Sequence, residues 1–284
     1  MKNNPKSIFH RAARAVYAGL KDYRPHDEPA FIRRLCRTGK WTGPTAGLAP
    51  GREQANLVIL PESWASEFSN FCLANPRPCP VLEILDRGNP ISSQAAPGAD
   101  VRSDVPRYRI MNEGRWTAET LDVCDYWRED LVSFLLGCSF TFDHALRLAG
   151  CPVRHVEEKK NIPMYITNIS CNPTPRFAGP LVVSMRPMPP EQAQTAARVS
   201  ARFPHAHGEP VHWGDPAKIG IRDVHHPDFG DSVTINKDEI PVFWACGVTT
   251  QVVLEKSKPP LAITHAPGHM LVTDLEVACE WSGQ

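Results

Sequence analysis

Proline constrains this chain more than any other residue. It occurs 28 times in 284 residues, about twice its usual share. Each proline removes an amide donor and interrupts a helix interior, which disfavours long bundles, coiled coils and helical solenoids. Short elements joined by defined loops are the expectation. The length suffices for one large domain or two small ones with a substantial core. The most broken stretch is Trp41-Thr-Gly-Pro-Thr-Ala-Gly-Leu-Ala-Pro-Gly51, which suits neither helix nor strand.

Around that loop the pattern alternates. Helical spacing marks Ser7–Tyr23 and Pro29–Arg37, then Glu62–Leu73 and a long stretch Asp122–Leu136 continued by Phe142–Leu148. Strand patterns mark Gln54–Leu60 and Val81–Leu85, and Arg107–Met111 forms a hairpin through Asn112-Glu-Gly114. Beyond Gly150 the chain becomes strand-rich, with Val153–Val156, Met164–Ile169 and Leu181–Met185. A helix from Pro190 to about Phe203 precedes short strands at Val211–Trp213, Val233–Ile235, Pro241–Ala245 and Leu261–Thr264. The predicted class is α/β in the broad sense, a mixed α+β domain with a mixed sheet and interleaved short helices, in one or two lobes. Residues 1–32 form an N-terminal helical extension in this reading, and 33–284 a single domain.

The 31 basic and 31 acidic side chains cancel, so there is no basic surplus for a nucleic-acid partner and no electrostatic reason to sit on a membrane. No run approaches the roughly 20 apolar residues of a membrane span. The nine cysteines are scattered without a CxxC pair and read as thiols of a reducing compartment. Lys2, Lys6, Arg11, Arg14 and Lys21 precede the first acid, Asp22. Such a start suits a surface helix of a cytoplasmic protein, with a mitochondrial presequence, and hence the matrix, as the alternative. A symmetric homodimer is the base-rate assembly.

Histidines cluster late in the chain. In His205-Ala-His207-Gly-Glu-Pro-Val-His212-Trp-Gly-Asp215, His207 and His212 with Asp215 can move protons or hold a divalent cation such as Mn2+ or Mg2+; no other cofactor is indicated. The same residues also read as ordinary surface or core histidines. His265-Ala-Pro-Gly-His269 is a turn, which makes His269 with Asp274 the competing acid/base pair. Arg107, Arg109, Arg154 and Arg186 lie on or at the ends of expected strands, and their guanidinium forks suit carboxylates as well as internal ion pairs. Cys138 at a helix break reads as an activated thiol or as a buried structural one.

Several segments together resemble one family. Besides the loop that opens at Trp41 and runs on to Gln54-Ala-Asn-Leu-Val-Ile-Leu-Pro61, they are Asp100-Val-Arg-Ser-Asp-Val-Pro-Arg-Tyr108, Gly137-Cys-Ser-Phe-Thr-Phe142 and Asn161-Ile-Pro-Met-Tyr-Ile-Thr-Asn168. Gly179-Pro-Leu-Val-Val-Ser-Met-Arg-Pro187, His207-Gly-Glu-Pro-Val-His212, Glu239-Ile-Pro-Val-Phe-Trp-Ala-Cys-Gly-Val-Thr249 and His265-Ala-Pro-Gly-His-Met-Leu-Val-Thr-Asp274 complete the set. In this collinear order, from about Arg33 to Asp274, the chain resembles the D-glutamate cyclases and their bacterial hydro-lyase relatives. The resemblance implies a lyase that closes D-glutamate to 5-oxo-D-proline with loss of water. Arg107, Arg109, Arg154, Arg186 and Asn168 are then candidates for the substrate, and His207, His212, Asp215, His269, Asp274 and Cys138 for the chemistry. The alternatives are a hydro-lyase for another small carboxylic acid and a non-catalytic carboxylate-binding regulator.

Overall fold

The computed structural model describes residues 28–277; the helix expected over Ser7–Tyr23 lies outside them. Helix α1 (Pro29–Arg37) starts with proline in its first turn, where the missing amide loses nothing. Strand β1 (Arg52–Pro61) follows the glycine-proline loop, then helix α2 (Glu62–Ala74) and strand β2 (Val81–Ile84). Strands β3 (Tyr108–Asn112) and β4 (Arg115–Thr120) form the expected hairpin. Its turn residues Glu113 and Gly114 have φ of 49° and 78°, the left-handed pair that matches strand twist.

The expected helix Asp122–Leu136 does not form: its C-terminal part from Leu131 is strand β5 (Leu131–Gly137), and the rest is a 3-10 turn at Cys124–Tyr126 and loop. The reason is burial on both faces. β5 lies between β2 and β1, and a strand covered on both sides reads as a continuous apolar run that periodicity cannot distinguish from a helix. Helix α3 (Phe140–Leu148) follows, and then a short helix α4 (Arg154–Glu157) where a strand was expected. The remaining elements are β6 (Met164–Ser170), β7 (Pro180–Met188), α5 (Pro190–Ser200), β8 (His212–Trp213), β9 (Ile240–Ala245), α6 (Thr249–Ser257), β10 (Ala262–His265) and β11 (Leu271–Glu276). Val233–Ile235 forms no strand.

The class is mixed α+β as expected. The mixture is of helices with strands and not of strand directions, because every pairing between these strands is antiparallel. One sheet runs β2-β5-β1-β10-β3-β4 with β11 also on β1, and the other runs β6-β7-β9-β8. Side chains alternate along β1. Val58 and Leu60 join Phe134, Tyr165, Val183 and Phe243 in the core between the sheets. Leu57 and Ile59 face the opposite side, where the segment carrying Ala95, Ala96, Val101 and Val105 covers them. Behind the second sheet, Phe142 and Leu146 of α3 and Ala196 of α5 pack on Val242 and Trp244. Each fully buried branched side chain contributes about 1.5–3 kcal/mol. Among the described residues no helix is long and apolar enough to cross a membrane, and every cysteine is a free thiol.

Candidate functional site

The site follows from a gap in a sheet. β1 pairs with β10 through Val58 and Thr264 and resumes with β11 at Ala55 and Leu271. Between those registers the chain leaves the ladder as the turn Ala266–Met270. The His265 ring fills the vacated place: its Nδ1 lies 3.1 Å from the Leu57 amide nitrogen and 3.2 Å from the Leu57 carbonyl oxygen. Its Nε2 is buried without a hydrogen-bond partner among the described residues. Burial pushes this imidazole down to about 4; the bond to the Leu57 carbonyl acts against that, and the Arg109 charge acts with it.

The turn itself is held from three sides. The Ala266 amide donates to the Arg107 carbonyl at 2.8 Å. Thr45, in the glycine-proline loop, donates its amide to the Gly268 carbonyl at 2.9 Å and accepts from the Met270 amide at 3.0 Å on its hydroxyl. The Asn161 amide group donates to the Pro267 carbonyl at 2.9 Å. Gly268 is required here: its φ is 82°, and a Cβ would stand 2.0 Å from Asn161 Oδ1.

His269 projects from this turn, half-buried. Its Nδ1 donates to the Pro267 carbonyl at 2.9 Å, which leaves the Nε2 lone pair as its basic site. Burial lowers its pKa to about 4; the bond to the Pro267 carbonyl acts against that, as do weaker main-chain contacts with Ala266 and Thr42, and the Arg107 charge acts with it. At neutral pH it is therefore an uncharged base beside a cation. Arg107 is partly open, with Glu119 no closer than 3.9 Å. Arg109 is more enclosed: its guanidinium lies 4.0 Å from the Trp116 ring centre, 3.3 Å from Glu119 and 3.3 Å from the Gln251 oxygen. Gln251 donates in turn to the His265 carbonyl at 2.9 Å.

The other expected residues fall elsewhere. Arg186, Asp143 and His155 form a separate interior cluster, with Arg186 2.6 Å and 2.8 Å from Asp143 through two nitrogens and His155 at 3.1 Å. Arg186 is fully enclosed, and Phe142 and Trp244 lie over its guanidinium. Arg154 is paired with Glu157 and Glu239, and Asn168 is exposed. Cys138 is buried and its thiol is pushed up strongly, which is the opposite of an activated nucleophile. His207 is bonded through Nδ1 to the Arg77 carbonyl at 2.6 Å, and burial lowers it to about 4. His212 meets the main-chain oxygen of Asp215 at 2.8 Å, while the Asp215 carboxylate accepts from the Ala217 amide. Among the described residues no three His, Cys, Asp or Glu side chains gather as a cation site, so His207 and His212 do not make the expected ligand set. Asp274 pairs with Arg33 at 2.8 Å, so its carboxylate serves α1 and not His269. Sequence reasoning gave Asp143, Gln251 and Asn161 no role. Only tertiary contact brings them into the account, although Asn161 lies in a family-like motif.

A D-glutamate cyclase family profile matches residues 132–274. A protein of Bacillus licheniformis named "Putative hydro-lyase" is 56% identical over 247 residues, 87% of this chain and 94% of its own. Its namesake in Rubrobacter xylanophilus is 57% identical over 86% of this chain and 95% of its own. Another in Geobacillus kaustophilus is 55% identical, covering 86% and 92%. The turn that carries His269 lies within the matched profile, and with relatives above half identity over most of its length the chain belongs to the D-glutamate cyclase family.

Proposed function

We propose that this hydro-lyase closes D-glutamate to 5-oxo-D-proline at the Arg107–His269 site. The observation that carries the reading is an uncharged, half-buried imidazole near a guanidinium whose acid, Glu119, stays at 3.9 Å and lies closer to Arg109. Cyclisation asks for that combination. The α-ammonium must lose its proton before its nitrogen attacks the side-chain carboxyl carbon, and the carboxylate must lose charge to become an electrophile. Arg107 holds the side-chain carboxylate and offsets its charge. His269 Nε2 takes the ammonium proton. The C–N bond then forms, the C–O bond breaks, and the two protons released by nitrogen end on the departing oxygen as water, His269 carrying them in turn. The fixed turn supports alignment, which is worth on the order of 7–11 kcal/mol in well-oriented reactions. The free buried thiols fit a reducing compartment, and we infer that the reaction runs in the cytoplasm.

The test is direct. Purified protein is incubated with D-glutamate, and 5-oxoproline is followed by chiral chromatography with L-glutamate as control. The D isomer is expected to be converted, and His269→Gln to lower kcat by about 10²–10⁴-fold with the thermal midpoint retained. No product from D-glutamate, with or without added Mn2+ or Mg2+, overturns the substrate. Full activity of His269→Gln overturns the base.

A further inference from the structure

A cavity of about 380 Å³ lies between the Gly47–Arg52 segment and α3, on a different set of residues from the Arg107–His269 site. Its walls are apolar at Leu48, Phe140, Leu148 and Val156, and its polar groups include Arg52, Arg147 and Asp143. The volume suits a small organic molecule, and the charges decide which kind. Arg147 stands one turn beyond Asp143 on α3, the spacing at which the two would ordinarily pair. They do not pair, because Asp143 gives one oxygen to Arg186 and the other to His155. Glu157 and Glu239, which border a neighbouring hollow with Arg147, are paired with Arg154. Arg147 consequently has no ion pair among the described residues. Arg52 is held by the Asp274 carbonyl at 2.9 Å and by Glu276 at 3.2 Å, and Glu276 is 79% exposed and well solvated. The acid in the cavity is neutralised from behind, Arg147 at its rim has no acid of its own, and Arg52 has only the solvated Glu276.

From this we infer a second binding site, for a small carboxylate with an apolar body, whose anionic end meets Arg147 and Arg52 and whose body lies against Leu48, Phe140 and Val156. The inference is independent of the D-glutamate reading, since neither arginine takes part in it.

The probe is 3-phenylpropionate, with 3-phenylpropanol as its uncharged counterpart, titrated calorimetrically into the full chain. Saturable binding of the acid is expected, at least tenfold tighter than the alcohol and weakened by added salt. Arg147→Gln should lose at least tenfold in affinity. Leu148→Glu, at a residue 58% exposed and therefore tolerant of a polar side chain, should lose a similar factor by placing a like charge at the rim. Arg107→Gln should bind the probe as the parent does. Equal affinity for acid and alcohol, no saturable binding, or unchanged binding by both rim variants overturns the proposal. Loss of binding in Arg107→Gln also overturns it, because the acid would then occupy the other site.

Discussion

Arg186 and Arg107 put the same guanidinium to opposite use. Arg186 is enclosed on every side, meets Asp143 through two nitrogens, and lies under Phe142 and Trp244. Arg107 keeps part of its surface in water and has Glu119 only at 3.9 Å. Each stands near a depressed histidine, His155 in the first case and His269 in the second. The difference is how closely the charge is partnered. In the interior cluster each charge has its counterpart, so its contribution is to hold α3 against the second sheet. At the turn the acid stays at 3.9 Å, and a half-open guanidinium and imidazole can still meet something that is not protein. A perturbed pKa alone does not separate these cases; the partners do.

Acid should break the interior first, and by the largest amount. His207 and His265 are buried and held near 4, whereas the unfolded chain takes up protons near 6.5. Above that value neither state is protonated at these rings and the stability is fully present. As pH falls from about 6.5 towards 4 the unfolded state binds protons that the folded state refuses, and stability is lost. Two shifts of this size amount to on the order of 3 kcal/mol each. Denaturant unfolding measured at intervals between pH 7 and pH 4 should show that decline; a flat profile would mean these rings are not buried uncharged.

Removing the interior cation comes next. Arg186→Met leaves Asp143 buried against a neutral imidazole and should destabilise by about 3–5 kcal/mol. The double variant Arg186→Met with Asp143→Leu removes both charges together and should recover part of that loss in the same denaturant assay. If the double variant is as unstable as the sum of the two singles, the pair is not what holds these elements.

Gly268→Ala bears on the turn and not on its charges. It forces a side chain into a left-handed φ and against Asn161, for a cost of about 1–3 kcal/mol. Restoring space with Asn161→Ala in the same chain should return only part of it, since the φ penalty stays. An unchanged thermal midpoint in Gly268→Ala would mean the turn adapts, and the argument that it fixes His269 would fail.

What the sequence made legible follows the range of the interactions. α1 announces itself through the proline in its first turn, β1 through an apolar run stopped at Pro61, and the β3–β4 hairpin through a turn with the right residues. β5 does not, because Leu131–Gly137 is buried on both faces and its pattern carries no period. α6 is equally hidden: Thr249, Thr250, Val252 and Val253 are β-branched and disfavour a helix that only burial sustains. At the site, His269, Arg107 and Arg109 were legible as residue types in loops and strand ends. Their arrangement was not. Asp274 is five residues from His269, yet its carboxylate turns to Arg33, 241 residues away. The contact between His265 and Leu57 spans 208 residues, and no local pattern records it.

The smallest expected change in stability is the most discriminating. Arg107→Gln removes a partly exposed charge whose one acidic neighbour is distant, so unfolding in denaturant should shift by no more than about 0.5 kcal/mol. The carbonyl that holds Ala266 belongs to the main chain and stays in place. If Arg107 binds a carboxylate of the substrate, the same variant should raise KM for D-glutamate, and should lower kcat as well if the guanidinium offsets charge during ring closure. His269 offers a second readout of the same contact. The Arg107 charge helps to hold its pKa down, so its titration, followed by the ring proton resonances, should move upward in Arg107→Gln. A variant that unfolds like Arg186→Met would place Arg107 among the structural cations. A variant with unchanged stability, a raised histidine pKa and lost turnover keeps the two arginines in different classes.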